Sequence, residues 1–449
     1  MRVLVLGGGS TGEHFVGALR RLDADCEITL VESRLVGGEC SYWACMPTKT
    51  MLRATELVGS ARYAPGVAIP ELDLERVFWW RDQVVNGRDD SAQVDWLATQ
   101  RAELVHGRGV VSRPGVVAVD GRDLEYDRLV VATGSVASVP PIPGLDGVEY
   151  WTNEEATETT TVPESLVVLG GGAVGCELAQ FFARVGARVT LIQTAPRLLP
   201  RVDEEAGVIV ARVFAEDGID VRLGAAVTAV EPGVRVTLDG GETLEAETLL
   251  LATGRQPFAD SLGLEQLGVE IGRRGIEVDD RLAAAESVWA IGDCTGIAQF
   301  THVGKYQARV AAANIAGHET AADYRAIPAS IFTDPQVASV GRTDGDGVVC
   351  ATWPLQSTPR TGTYERPRRE GFLKLAAHAE RRVLVGAVAV GPEAGEWLQQ
   401  LTLAIRAEVP LDVLLDTIQP YPTFSEAVFL GARELDDAVV RARSVHAQR

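Results

Sequence analysis

The sequence predicts an α/β protein: two βαβ domains with parallel sheets, followed by a smaller domain of strands and helices. Three observations predict it. A strand, a glycine turn, a helix and a second strand follow one another in the first 32 residues; the same pattern returns near Leu166; and after Pro328 short strand-like runs give way to helical stretches. At 449 residues the chain is also too long for one ordinary core, and a prior of about 150 residues per domain suggests about three domains.

Composition narrows the class. Apolar residues make up 46% and charged residues 23%, as in ordinary soluble globular proteins. A formal charge of −20 opposes attraction to nucleic acid or to an anionic membrane. The start, MRVLVLGGGS, passes from an apolar strand directly into glycines, without the apolar core of a signal peptide, and no apolar run approaches the roughly 20 residues that span a bilayer. The expectation is a soluble cytoplasmic protein with no nucleic-acid or membrane partner. Six cysteines in so long a chain do not make a secreted disulfide framework, so a disulfide here is expected to be catalytic. Only three lysines occur (Lys49, Lys305, Lys374), while the total of 42 Lys and Arg leaves 39 arginines. A retained lysine is therefore read as kept for its own chemistry.

The first unit runs from strand VLVL (Val3 to Leu6) through a helix from about Glu13 to Arg21 to strand EITLVE, ending at Glu32. Gly7, Gly9 and Gly12 form G-x-G-x-x-G at its turn, with Glu32 about 20 residues on. The glycines admit a pyrophosphate to the backbone, the helix N-terminus attracts its charge, and Glu32 can accept from a ribose hydroxyl. A merely structural turn is the competing reading, and the strand–turn–helix context favours a dinucleotide. Gly170, Gly172 and Gly175 repeat the device, with Gln193 where the acid would stand. A carboxylate there repels the 2′-phosphate of NADP, whereas an amide does not, so NADPH is expected to be accepted as well as NADH. Arg197 and Arg188 are candidate cations for that phosphate and are equally readable as solvated surface residues. Each unit leads to a shared phrase, LVVATGS (with Thr133 and Gly134) and LLLATGR (with Gly254), as a duplicated chain would. Residues 137–164, rich in Pro, Gly and acid, read as a linker. SVWAIGDC and the helical pattern after it, to about Gly317, are expected to return to the first domain.

Residues 37–49, GGECSYWACMPTK, carry the most specific signal. Two cysteines five apart beside a helix can close a small disulfide loop, and the local positive potential would favour a thiolate. A metal site is disfavoured, because no second Cys or His pair has suitable spacing; two inert thiols are the remaining alternative. The pattern G-G-x-C-x4-C-x-P-[ST]-K resembles the redox signature of the pyridine nucleotide-disulfide oxidoreductases of class I, the family of dihydrolipoamide dehydrogenase, glutathione reductase and mercuric reductase. ATGS, ATGR, AIGD, FTDPQVASVG and YPTFSE stand in the family's order, so the resemblance covers essentially the whole chain.

The resemblance implies two Rossmann-like dinucleotide-binding domains and a C-terminal α+β dimerisation domain: FAD in 1–150 plus 278–326, NAD(P) in 151–277, and dimerisation in 327–449. It implies a homodimer in which hydride passes from NADPH or NADH to FAD, then to the Cys40–Cys45 disulfide and on to a small-molecule acceptor. By the same resemblance Cys45 is the flavin-proximal thiol and Cys40 the interchange thiol. Lys49 reaches the flavin and pairs with Glu177, Asp293 binds the ribitol, and Thr133 and Gly134 form the flavin-domain turn. Cys26, Cys176, Cys294 and Cys350 are read as packing residues.

One departure bears on the acceptor. Where disulfide reductases of the family have H-P-T-x-x-E, contributed by the partner subunit, this chain has Tyr421 and Glu426 in YPTFSE. A phenol, with an ordinary pKa of about 10, is a poor base near neutral pH, whereas imidazole, near about 6.5, is well matched. Soluble transhydrogenase is similar in its Y-P-T motif, a loop Trp matching Trp43 and a neutral residue at the Gln193 position, but lacks the second cysteine. Mercuric reductase shares the tyrosine but adds a C-terminal cysteine pair, and no cysteine follows Cys350 here, which ranks mercury reduction low. The leading expectation is an NAD(P)H-dependent reductase of a disulfide. The alternatives are a flavin-level transhydrogenase or quinone or dye reductase with dispensable cysteines, and the lipoyl-oxidising subunit of a 2-oxoacid dehydrogenase complex, against which the missing histidine argues.

Overall fold

The computed structural model describes residues 1–62, 64–364 and 371–446. Strand Arg2–Leu6 (β1) lies inside a six-stranded sheet, parallel to Glu27–Glu32 (β2) on one side and to Arg128–Val131 on the other. A strand covered on both faces cannot alternate polar and apolar residues, which is why RVLVL reads as a continuous apolar run. Val288–Ala290 joins this sheet parallel to Arg128–Val131, and Ala283–Ala285 closes the edge antiparallel. The chain thus comes back to its first sheet after the second unit is complete.

Helix Ser10–Leu22 (α1) starts three residues before the expected Glu13, because the glycine turn itself forms the first turn with Gly9 as N-cap. Gly38–Tyr42 (α2), Cys45–Ala61 (α3), Leu74–Val84 (α4) and Ser91–Thr99 (α5) follow β2. The expected linker contains a helix, Asn153–Glu158 (α6), started by a capping box between Thr152 and Glu155. The second unit is a parallel sheet of Asp220–Leu223, Arg188–Gln193, Ser165–Leu169 and Thr248–Leu251, with Ala173–Arg184 (α7) and Glu204–Glu216 (α8). Helix Thr301–Ile315 (α9) then packs on α1, with Ala308, Ala311 and Ala312 sharing a core with Phe15, Val16 and Leu19. After Pro328 five antiparallel strands are backed by Ala394–Trp397 (α10), Gln399–Arg406 (α11), Leu411–Asp416 (α12) and Glu426–His446 (α13). Among the described residues no helix is long and apolar enough to cross a membrane.

The two units match down to single contacts. A Cβ on Gly7 would meet Ala132 O at 2.3 Å, and one on Gly170 would meet Ala252 O at 2.3 Å, both at positive φ. A Cβ on Gly12 or Gly175 would come 2.0 or 1.9 Å from the carbonyl oxygen of Gly7 or Gly170. Only glycine lets the helix start this close to the strand end.

Helix α7 holds the pieces together through three residues on one face. Gln180 Nε2 donates to Asp217 Oδ2 (2.9 Å) and to Asp334 O (3.0 Å), while its Oε1 accepts from Asp334 N (2.7 Å). Arg184 pairs with Asp217 and Asp334, each at 2.9 Å, with its side chain 5% exposed. Glu177, one turn earlier, meets Lys49 of α3 and the amide of Phe332. Removing one partner of a buried ion pair strands the other charge. We therefore expect Arg184→Met to lower the free energy of denaturant unfolding by about 3 kcal/mol and Gln180→Ala to lower it by less, as read from the shift of the unfolding midpoint.

Candidate active site

Cys40 lies inside α2, and Cys45 is the first residue of α3, the end at which the free amides of a helix favour negative charge. Both cysteines are half-buried. Between them stands Thr301, the first residue of α9: its hydroxyl donates to Cys40 Sγ at 3.0 Å and lies 3.6 Å from Cys45 Sγ. The two sulfurs are not equivalent. The hydrogen bond from Cys40 lowers the Cys45 thiol to about 6, against the effect of burial, with help from Thr301 and the Lys49 ammonium. The same contact, together with burial, raises Cys40. Cys45 therefore carries the charge of the reduced pair at neutral pH, and Cys40 keeps the proton.

Lys49, one turn into α3, pairs with Glu177 Oε2 at 2.6 Å, and Glu177 is 2% exposed. Glu177 Oε1 accepts from Phe332 N at 2.8 Å, and the Phe332 ring lies 5.2 Å below the ammonium. On the other side of the pair, Glu39 forms an ion pair with Arg255, whose Nε donates to Ser135 Oγ at 2.7 Å. Ser135 donates in turn to Asp293 Oδ2 at 2.7 Å, and burial raises the Asp293 carboxyl. Thr133 Oγ1 donates to Phe258 O, and Gly134 beside it has positive φ with open space where a side chain would go. Glu32 is tied to the first glycine turn, accepting from Gly8 N (2.6 Å) and Arg34 N (2.7 Å).

Both crevices suit a dinucleotide. At α1 and at α7 the cap residue is a glycine with no side-chain cap, so the first amides are left for an anion. Side chains at Gly172 and Gly254 would point into open space, the room a bound phosphate needs. Gln193 ends its strand beside Gly171, 8% exposed. The two arginines expected near it are placed otherwise. Arg197 donates to the carbonyl oxygens of Leu199 (3.4 Å), Pro200 (2.9 Å) and Val202 (2.7 Å) in its own loop. Arg188 starts the strand that Gln193 ends, away from the crevice at the strand C-termini.

Other cysteines sort by burial. Cys26, Cys176 and Cys294 are buried, and burial pushes the Cys294 thiol up to about 12. Cys350 is exposed, contrary to its reading as a packing residue, because it sits on an edge strand of the last sheet. Tyr421 stands 73% exposed on its own chain, and Glu426 Oε2 at the start of α13 is buried with no hydrogen-bond partner among the described residues. The residues missed from sequence are Glu39, Asn153, Thr157, Arg255 and Thr301. Glu39 and Arg255 left a trace there, an acid directly before the first cysteine of the pair and the last residue of the phrase ATGR.

The model of the family described as "Pyridine nucleotide-disulphide oxidoreductase" matches residues 1–314, and that of its dimerisation domain matches residues 327–430. The chain belongs to this family. It is 33% identical to dihydrolipoyl dehydrogenase 2 of Haloarcula marismortui, over 99% of this chain and 97% of that one. It is equally 33% identical to mercuric reductase of Bacillus cereus, over 96% of this chain and 71% of that one. Among solved structures it superposes on LpdA of Mycobacterium tuberculosis with TM-score 0.87 and 26% identity, covering 97% of this chain and 99% of that one. The HOCl-induced flavoprotein disulfide reductase RclA of Escherichia coli gives TM-score 0.84 at 26% identity, with 96% and 99% covered. The oxidoreductase accordingly uses FAD and NAD(P)H and acts in disulfide redox chemistry.

Because Cys45 is lowered to about 6, its thiolate forms as pH rises through that value and is lost below it. Alkylation of the reduced protein at Cys45, followed by mass spectrometry across a pH series, should show a midpoint near 6. Cys40→Ala removes the largest cause and should move that midpoint upward. An unmoved midpoint would contradict the assigned cause.

Proposed function

We propose that the protein is an NAD(P)H-dependent reductase of a disulfide-type acceptor working through Cys40 and Cys45, and that the observation carrying this reading is the asymmetric dithiol on Thr301. When bound, FAD takes a hydride from NAD(P)H and hands on an electron pair. Gly7, Gly9, Gly12, Glu32, Thr133, Gly134, Lys49 and Asp293 would hold FAD in a domain of residues 1–150 and 278–326. Gly170, Gly172, Gly175, Gln193 and Gly254 would hold the nicotinamide cofactor in residues 151–277.

The chain's own chemistry follows from the two sulfurs. Reduction breaks the Cys40–Cys45 bond with two electrons and one proton, leaving a thiol on Cys40 and a thiolate on Cys45. Cys40, on losing its proton, attacks one sulfur of the acceptor; the acceptor bond breaks and its other sulfur leaves as a thiolate that takes up a proton. Cys45 then attacks Cys40 Sγ, closing the internal disulfide and releasing the second acceptor sulfur as a thiolate, which takes its proton from solvent. The names of two relatives, dihydrolipoyl dehydrogenase and flavoprotein disulfide reductase, support redox exchange with sulfur.

The homodimer belongs to the same proposal. An exposed Tyr421 and an unsatisfied Glu426 are the condition of a segment built to meet a second chain, whose cysteines they would face, with residues 327–449 as the dimerisation domain. Tyr421 would give a proton to the leaving sulfur and would serve poorly as a base. That weakness is what favours a second reading, in which a quinone or second nicotinamide takes electrons at the flavin and the cysteines are dispensable.

Steady-state turnover of the parent, Cys40→Ser and Tyr421→His against disulfides, a quinone and a nicotinamide analogue separates the two. We expect Cys40→Ser to abolish turnover with the best acceptor, and Tyr421→His to speed small-disulfide reduction by about 10²-fold, the lower end of general-base catalysis. Undiminished activity of Cys40→Ser toward that acceptor would overturn the first reading and leave the second. For the cofactor, NADPH should at least compete with NADH in stopped-flow reduction, and Gln193→Glu should shift preference toward NADH. A hundredfold parental preference for NADH, about 2.7 kcal/mol, would refute this account of Gln193.

A further inference from the structure

We propose that helix α6 is a clamp on the redox loop: by fixing Trp43, midway between the two cysteines, it raises the stability of the Cys40–Cys45 disulfide relative to the dithiol. The inference rests on the reading that this pair is redox active. Cys40 and its next two neighbours are helical, and Cys45 begins α3, so Trp43 and Ala44 alone separate the two helices. The torsions of these two residues decide how the sulfurs face each other. Local bonds hold only the outer ends of the joint, Trp43 N donating to Glu39 O (2.8 Å) and Ala44 O accepting from Thr48 N (3.1 Å), and α3 starts without a side-chain cap.

The restraint comes from more than a hundred residues along the chain. Asn153 Nδ2 donates to Trp43 O at 2.8 Å and to Glu39 Oε1 at 2.7 Å, so one amide group ties the residue before Cys40 to the residue midway between the pair. Thr157 Oγ1 lies 3.2 Å from the same Trp43 oxygen. The indole Nε1 donates to Glu158 Oε1 at 2.6 Å. Above the ring, 4.0 Å from its centroid, sits the Arg34 guanidinium, itself paired with Glu154 of α6 at 2.7 Å. Asn153, Thr157 and Trp43 are 6%, 0% and 7% exposed, so water does not compete for the two bonds to the Trp43 carbonyl. Trp43 is thus held at its carbonyl, its ring edge and its ring face by residues of α6 or paired with α6.

Joining two thiols in one chain is favourable in proportion to their effective concentration, which is high when little freedom remains to be lost. The clamp removes the freedom of the Trp43–Ala44 joint in advance. Forming the S–S bond from the Cys40 thiol and the Cys45 thiolate releases one proton and two electrons to the oxidant, and reduction takes them back. Loosening the joint therefore lowers the equilibrium constant for disulfide formation and makes the pair easier to reduce. Asn153 acts here as a positioning residue, remote from the reacting atoms.

The test equilibrates the FAD-loaded full-length protein in oxidised and reduced dithiothreitol mixtures, quenches with acid, alkylates and counts free thiols by mass. Asn153→Leu keeps the size of the side chain and removes its donors; Trp43→Phe keeps an aromatic ring under Arg34 and removes the bond to Glu158. We expect Asn153→Leu to lower the equilibrium constant about tenfold, about 30 mV toward easier reduction, and Trp43→Phe to act in the same direction by less. Glu158→Gln, which keeps an acceptor for the indole, should leave the parental value. Folded, FAD-loaded variants with the parental equilibrium constant would overturn the clamp, and Trp43→Phe decides alone if Asn153→Leu does not fold. A parent protein that forms no disulfide even in fully oxidised dithiothreitol would instead sink the functional reading itself, and the clamp with it.

Discussion

Glu177 is the point at which three parts of the molecule meet: its two carboxylate oxygens face Lys49 from the cysteine-bearing helix and the amide of Phe332 from the segment leading into the last sheet. A carboxylate 2% exposed is tolerable only when its charge is paired and its lone pairs are filled, and here both conditions are met by groups from other parts of the chain. Gln180 and Arg184 continue the same face of α7, with Asp217 and Asp334 as shared partners. Because α7 begins at the second glycine turn, the crevice for the nicotinamide cofactor and the helix that starts with Cys45 cannot shift independently.

The duplicated glycine turns rest on a different constraint, the closeness of backbone to backbone. In both units the first and last glycines of the motif lie where any Cβ would collide with a carbonyl oxygen, while Gly172 and Gly254 are open. The closed positions shape the turn and the open ones leave room at the helix start. The later strands behind ATGS and ATGR then supply the oxygen that defines the closed side, Ala132 in one unit and Ala252 in the other. That is a physical reason for the phrase to recur with the motif.

What was legible in the sequence was what depends on short-range pattern. Strands buried on both faces appear as apolar runs, the glycine turns as fixed spacings, and the cysteine loop as a compact signature, so the three-part architecture and the residues of the motifs could be read directly. Contacts made between distant segments could not. Residues 137–164 read as a linker from their Pro, Gly and acid content, yet Asn153, Thr157 and Glu158 form a helix against the redox loop. Thr301 has no motif around it that announces a contact with two sulfurs, and Arg197 stood in a plausible place for a phosphate but satisfies carbonyl groups of its own loop. The hydrogen bonds of Asn153, Thr157, Glu158 and Thr301 to the redox loop join residues more than a hundred positions apart and leave no periodic trace.

The position of Thr301 bears on the loss of the family's histidine. A hydroxyl has one proton and two lone pairs, so a group between two sulfurs can donate to whichever bears charge while accepting from the other. With Cys45 lowered to about 6 and Cys40 raised, the resting proton stays on Cys40, where a base would ordinarily be needed to remove it. Thr301 cannot do so, since a threonine hydroxyl is no base near neutral pH, but it can move its hydrogen bond as negative charge passes from one sulfur to the other. In the proposed reaction the difficult step would therefore be the deprotonation of Cys40, which would fall to the acceptor or to a residue of the partner chain. In the proposed reaction an acceptor whose sulfur is already a good leaving group would ask least of that missing base, which would tie the choice of substrate to Tyr421, the residue at which this chain departs from the family's pattern.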